Sequence, residues 1–456
     1  MKRRHELFQL ARGAALLVVL AALVAAVHII SPAADAEAST LRGLGLLLFG
    51  GYLAAHLGER IGLPHVTGYL LAGLVLGPHS LNIIDLATVE RLRPTNAIAL
   101  ALIALSAGAE LRFELLRREA RQLAHAVLAQ LLIVLPGAFL TLLALKRFVP
   151  FAAPLTWTAA AAAALLWGTV MMSRSPSSTL GVINELRPEG PLMRQVLSVV
   201  ITMDLVVLIA FAVMRVLAGA LLDPSGAAQA GALGDLGTAL LGSIACGTTL
   251  GIILAIWLRL IRRQLLLFLL ASAYAGTELA QYFRFEPLLL FLTAGFVAAN
   301  VARVGEELLD VVGAGGEVVF VVFFALAGAH LDLPLVARLW PLALALWLSR
   351  AIFTLAGANA ASRLAGDPPL VRRFGGLSIF AQAGTSISLA TAIGERFPTL
   401  GTGFASLAIA VVGLNELVGP VLFKWTLSRA GEVSRSIKVD NQALPDLAGP
   451  AARSQA

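Results

Sequence analysis

The sequence predicts an all-α polytopic membrane protein, and three observations carry that reading. Apolar runs of about 20 residues, the length that crosses a bilayer, recur along the whole 456-residue chain. The composition is 58% hydrophobic and only 13% charged, with mean hydropathy +0.86, whereas soluble chains carry about 25% charge. No series of alternating segments of roughly 10 residues, the mark of a membrane β-barrel, is present.

About fourteen apolar segments follow in order: 14–31, 41–58, 62–78, 95–110, 121–145, 152–173, 193–219, 232–258, 264–282, 287–302, 316–331, 338–359, 374–394 and 402–427. They make about 13 core transmembrane helices plus an extra N-terminal hydrophobic segment. That first segment (within 1–39) is either a retained helix or a signal peptide. "AADAEAS" offers an A-x-A site at Ala34 and Ala36, but the apolar run exceeds the usual h-region of about 7–15 residues. Residues 40–432 form the membrane domain and 433–456 a polar tail.

The loops set the orientation. "MKRRHELFQLARG", "ELRFELLRREARQ", "SRSPSSTLGVINELRPEGPLMRQ", "RLIRRQ", "SRLAGDPPLVRRF" and "KWTLSRAGEVSRSIK" fall on one side, which the excess of Lys and Arg assigns to the cytoplasm. The C-terminus is therefore cytoplasmic and the compartment a bacterial-type inner (plasma) membrane. The net charge of +7 sits in these short loops, so it sets topology rather than binding nucleic acid. Cys246 is the single cysteine, which excludes an intramolecular disulfide framework.

The two halves resemble each other. "LLAGLVLG" (70–77) resembles "FLTAGFVAA" (291–299), and "ALSAGAELRFELL" (104–116) resembles "ALAGAHLDLPLV" (325–336). Both pairs are offset by about 220 residues and by seven segments. An odd number of segments inverts the second copy, giving repeats over about 62–219 and 287–427. Such repeats are typical of secondary transporters, with the site near the midplane.

Asp204, in "SVVITMDLVVLIAFAV", is the first candidate. A charge at the bilayer centre costs about 2.5–3.5 kcal/mol on insertion scales, so such residues face the bundle interior or a water-filled cavity. A carboxylate is a hard oxygen ligand for a small cation and also accepts a proton; it holds one or the other. That competition is the minimum machinery of exchange. Arg350 lies mid-segment in "LALALWLSRAIFTLAGA" and stays charged. Asp204 is its expected charge partner, and capping of backbone carbonyls is the alternative.

Two polar interruptions flank these charges. In "MMSRSPSSTLGV", Pro176 removes an N–H and biases Ser175 away from helix, and Ser177, Ser178 and Thr179 follow. In "FAQAGTSISLAT", Gln382, Gly384, Thr385, Ser386 and Ser388 make a spanning segment unusually polar. Interrupted helices at matching places in two halves point to an ion site. Glu278 and Glu416 read as structural pairs or interface positions. The chain has no GxxxxGK[ST] or HExxH pattern, so no enzyme site and no cofactor are expected.

The ordered set "VTGYLLAGLVLGPHSLNII", "ALSAGAELRFELLRR", "SRSPSSTLGVINELRPEGP", "ITMDLVVLIAFAV", "FLTAGFVAANV", "FFALAGAHLDL" and "NELVGPVLFKWTLSRAGE" resembles the monovalent cation:proton antiporter superfamily, nearest its Kef/NapA-like branch. The resemblance implies an inverted-repeat fold with two crossed broken helices and a homodimer in the lipid bilayer. It implies that Na⁺ or K⁺ is exchanged for H⁺ by an elevator-like movement. Asp204 matches the family's essential carboxylate, Arg350 its basic residue, and Ser175, Pro176 and Ser386 fall in the crossing segments. One departure stands out: Met203 occupies the place where the family carries Asp, Asn or Gln. With one acid, the expectation is electroneutral exchange. Thr202, Met203, Ser177, Ser178, Thr179, Gln382, Gly384 and Thr385 would then surround a monovalent cation at Asp204. A K⁺-efflux or altered-substrate member, or a non-transporting sensor or subunit that keeps the fold, are the alternatives.

Overall fold

A computed structural model describes residues 36–222, 232–261, 264–301, 304–382, 384–397 and 399–433. The hydrophobic segment at 14–31 and the tail from 434 lie outside the described residues. The described chain is helical with no strand. Its helices are α1 (Ala36–Arg60), α2 (His65–Leu76), α3 (Leu86–Arg91), α4 (Arg93–Glu110), α5 (Phe113–Arg118), α6 (Ala120–Ala144), α7 (Trp157–Met172), α8 (Pro176–Leu186) and α9 (Pro191–Leu222). They continue as α10 (Ala232–Leu260), α11 (Leu265–Phe283), α12 (Pro287–Asn300), α13 (Gly305–Ala329), α14 (Leu333–Ala365), α15 (Pro369–Ser378), α16 (Gly384–Arg396) and α17 (Gly401–Ala430). Among the described residues, six helices are long and apolar enough to cross a membrane, and α2 and α12 are shorter apolar helices.

Three expectations change in detail. The run 374–394 is two helices, α15 and α16, because the chain leaves helical geometry between them. The interruption after Met172 is followed by a helix of its own, α8, with Pro176 at its first turn and Ser175 as cap. The segment expected at 316–331 begins at Gly305.

Local chemistry explains the ends. Asp85 accepts from the Thr88 amide at 2.8 Å and so caps α3. Thr156 accepts from the Ala159 amide and caps α7. At the start of α9, Glu432, beyond the end of α17, accepts from the Leu192 and Met193 amides at 2.7 and 2.8 Å. A carboxylate at a helix N-terminus satisfies orphan donors and complements the helix dipole. Nearby, Glu185 accepts from the His65 amide at 2.6 Å and from Lys424 Nζ at 2.8 Å. That pair ties the ends of α8, α2 and α17 together.

The packing carries the sequence repeat. In an α2–α13 pair, Gly73 lies against the Ala325 carbonyl and Gly328 against the Leu70 carbonyl. In an α4–α12 pair, Gly295 lies against the Leu105 carbonyl and Gly108 against the Leu292 carbonyl. A Cβ at any of the four would collide with that oxygen. Gly73 and Gly295 are repeat equivalents, as are Gly108 and Gly328. Each pair therefore joins a helix of one half to a helix of the other through the same small-residue contact. Between helices in lipid such contacts replace the absent hydrophobic drive with close backbone packing.

Two apolar clusters result. The larger takes in residues of α1–α4, α6–α9 and α13–α17. The smaller takes in α4, α10, α11, α12 and the start of α13. Asp204 sits where α9, of the larger cluster, faces α12 of the smaller.

Candidate functional site

The two breaks cross each other. The Ser175 amide donates to the Ala381 carbonyl at 3.0 Å, so the non-helical links 173–175 and 379–382 run past one another in the interior. Helices α7 and α15 end there and α8 and α16 begin there. A helix end leaves carbonyls or amides without intrahelical partners, and each orphan here has to be met inside the protein.

Arg350, on α14, meets the carbonyls. Its Nε donates to Met171 O at 3.0 Å, Nη2 to Ser173 O at 3.2 Å, and Nη1 to Phe380 O at 3.1 Å and Asn415 Oδ1 at 2.9 Å. The side chain is 1% exposed. The expected Asp204–Arg350 pair is therefore corrected: these bonds go to the C-terminal ends of the broken helices and to Asn415. The cause is electrostatic, since those ends carry negative partial charge and a guanidinium presents several donors in a fixed fork.

Gln382 completes the hub. Its Nε2 donates to Val170 O at 2.8 Å and Ser173 Oγ at 3.1 Å, and its Oε1 accepts from Asn415 Nδ2 at 2.8 Å. The Ser173 and Ser386 hydroxyls are hydrogen-bonded to each other. Arg174 is also fully buried and donates to Gln130 Oε1 at 2.6 Å and Thr354 Oγ1 at 3.2 Å. Gln130 stands at a π-helical turn, Gln130–Val134, inside α6, a local widening that often marks function.

Asp204 lies apart from this hub. It is 2% exposed, and neither carboxylate oxygen has a hydrogen-bond partner. It lines a cavity of about 210 Å³ with Thr202, Leu205, Leu208, Leu289 and Phe296. The Thr385 side chain, in the first turn of α16, and the Glu286 carboxyl, just before α12, both lie near it. The site thus brings together Asp204, Thr202 and Thr385 of the expected residues.

The others fall elsewhere. Met203 is fully buried in the larger core, and the residues of α9 that line the cavity are Ile201, Thr202, Asp204, Leu205 and Leu208. One residue is about 100° of helix turn, so Met203 points away from the neighbour it was expected to help. Ser177, Ser178 and Thr179 were expected at the ion. Instead Ser178 N and the Ser177 and Ser178 hydroxyls bond to Ser175 Oγ, while Thr179 Oγ1 donates to Ser175 O. They build the α8 N-terminus around Ser175. Gly384 opens α16.

Glu416 also departs from expectation. It is fully buried and neither oxygen has a hydrogen-bond partner, so it is not a structural pair. Glu278 is exposed on α11. Sequence reasoning missed Asn415, Arg174, Glu286 and Gln130. Asn415 and Arg174 were visible as polar residues inside the quoted "NELVGP" and "SRSPSS" runs. Glu286, in a loop-like "FRFEP", gave no such signal.

The residue pattern, the crossed links and the buried acid now meet the comparisons. The family described as "sodium/hydrogen exchanger, transmembrane" matches residues 44–429. The chain belongs to the sodium/hydrogen exchanger family. Its fold is similar to that of the sodium proton antiporter MjNhaP1 from Methanocaldococcus jannaschii at pH 8. The TM-score is 0.64 at 17% identity, over 86% of this chain and 98% of that one. An electron-microscopy structure of the same antiporter gives a TM-score of 0.66 at 19% identity, over 88% and 98% of the two chains. No curated protein sequence matches. This exchanger is a multi-pass membrane transporter that couples a cation to protons, not an enzyme.

Proposed function

We propose that this exchanger moves one monovalent cation, Na⁺ or K⁺, against one proton through Asp204. The observation that carries the reading is a buried carboxylate with both oxygens unpartnered, opening on a cavity between α9 and α12. An acid in that position takes a proton or a desolvated cation and releases one to admit the other. Thr202 and Thr385 supply neutral oxygens beside it, and water in the cavity completes the coordination.

One carboxylate on α9 gives one charge in each direction, so the exchange is electroneutral. Arg350 takes no part in the charge count at the ion. It holds the crossing rigid through four hydrogen bonds. The elevator-like step slides α9 and the crossing, with Asp204, along α12 and its neighbours. The leucine-lined cavity wall supports this, because an apolar interface resists sliding less than a polar one would. A homodimer forms through the α10–α11 side, where Glu278 lies exposed on an otherwise apolar helix. The Lys and Arg excess of the loops supports a cytoplasmic C-terminus, in an inner-membrane protein.

The test is dequenching of a pH dye in everted vesicles. Added Na⁺, Li⁺ or K⁺ collapses a preset proton gradient, and Asp204→Asn abolishes the response. Silence with all three cations between about pH 6.5 and 9 would remove antiport, and exchange retained by Asp204→Asn would remove Asp204 from its role. Current on a solid-supported membrane would contradict electroneutrality.

A further inference from the structure

A second polar crevice opens at the end of the bundle where α14 stops and α9 starts. It holds about 30 Å³ and is lined by Gln122, Gln130, Gln195, Ser362 and Asp367 among small apolar residues. A water needs about 10–15 Å³ on this measure, so the space takes one small ion with a water.

The buried Asp367 and Gln122 atoms without a partner there are acceptors. Asp367 is 4% exposed; its Oδ2 accepts from Gln195 Nε2 at 2.8 Å, but its Oδ1 has no partner. Gln122 Oε1 has none either. Glu119 faces Asp367 and keeps Oε2 unpartnered, although Arg194 and Ser198 also face it. The nearest base on α6, Arg121, is held by the Ala365 carbonyl at 3.0 Å. Buried polar atoms are ordinarily satisfied, and each exception calls for an occupant or a reason. A lone carboxylate oxygen and a neutral amide oxygen converging on one small space match a hard cation. No group of three His, Cys, Asp or Glu side chains is placed to hold a metal ion among the described residues. One lining carboxylate is too little charge for a divalent ion that prefers several.

We infer that this crevice binds a monovalent metal cation between Asp367 and Gln122, at a site separate from Asp204. Gln130 lines its inner end and also receives the Arg174 guanidinium, which touches the crossing at Ser173. Occupancy therefore reaches the broken helices through one side chain on each side of Gln130. The loop charges put the crevice on the cytoplasmic side, where it meets cytosolic Na⁺.

The test uses the full chain in detergent, with ²²Na⁺ as probe in an equilibrium binding assay. In Asp204→Asn protein the transport site is disabled, and saturable Na⁺ binding remains. In Asp204→Asn/Asp367→Asn protein it weakens by at least about tenfold. Absence of saturable binding to Asp204→Asn, which is what a crevice holding only water gives, overturns the inference. So does equal binding by the double variant. If size-exclusion chromatography shows the Asp367 variant misfolded, Gln122→Leu in the Asp204→Asn background decides. It lowers affinity several-fold, and unchanged affinity overturns the site. Failure of the Asp204 reading is seen separately, as vesicle exchange that survives Asp204→Asn.

Discussion

Replacing Arg350 with lysine separates the two roles open to a buried arginine in this bundle, pairing with Asp204 or capping carbonyls. The guanidinium reaches four acceptors: Met171 in the last turn of α7 and Ser173 just after it, Phe380 after α15, and Asn415 on α17. An ammonium offers its donors from one point on a different stem and cannot span that set. About two of the four bonds are lost. Hydrogen bonds to a charged group contribute about 1.5–3 kcal/mol each, so the gross loss is about 3–6 kcal/mol. Water entering the hub restores part, which leaves a net destabilisation of about 3 kcal/mol. Unfolding followed by intrinsic tryptophan fluorescence reads this directly, since the chain has six tryptophans. The informative measurement is the double-mutant cycle with Asp204→Asn. Because Arg350 is bonded to carbonyls and Asn415, the two losses add to within about 0.5 kcal/mol. A coupling above about 1 kcal/mol would show a direct charge pair and refute the carbonyl-capping assignment. Unchanged stability in Arg350→Lys alone would refute it too.

Glu286→Gln removes a carboxyl near Asp204 and raises the half-saturating cation concentration in vesicle exchange by several-fold without abolishing exchange; an unchanged concentration dependence would count against its influence on the site. Gly73→Val and Gly295→Val each drive a side chain into a carbonyl at equivalent contacts. Both lower thermal stability similarly, by about 1–3 kcal/mol or more, and a large asymmetry between them would break the proposed equivalence. Glu432→Ala takes the two-amide cap from α9. It costs about 1–2 kcal/mol, visible as a lower melting temperature, and Glu432→Gln recovers part of it through its remaining carbonyl oxygen.

Much of the site was legible because its signals are local. An acid inside "ITMDLVVL" is conspicuous in any apolar window, and Pro176 and the serines around it announce a break without reference to anything distant. Gln382, Ser386 and Thr385 stood out for the same reason. The second break was harder to place, because "FAQAGTSIS" holds no proline and its neighbours are apolar enough to pass as one span. Ser177, Ser178 and Thr179 were read as ligands on residue type alone. Their hydroxyls are taken by Ser175 in the same turn, a competition between local capping and ligation that composition does not rank.

By itself the sequence determined the helical class, the order of the spans, the inverted resemblance of the halves and the positions of Asp204 and Arg350. Hydropathy, helix breakers and loop charge act over one segment at a time, so one segment suffices to read them. The tertiary structure alone decided which groups meet. It turned Met203 into the core, gave Arg350 to carbonyls rather than to Asp204, brought Glu286 near Asp204 and left Asp367 with an open oxygen. Those outcomes depend on hydrogen-bond distances between residues as far apart in the chain as Met171 and Arg350. Such partners are chosen only once the helices have packed.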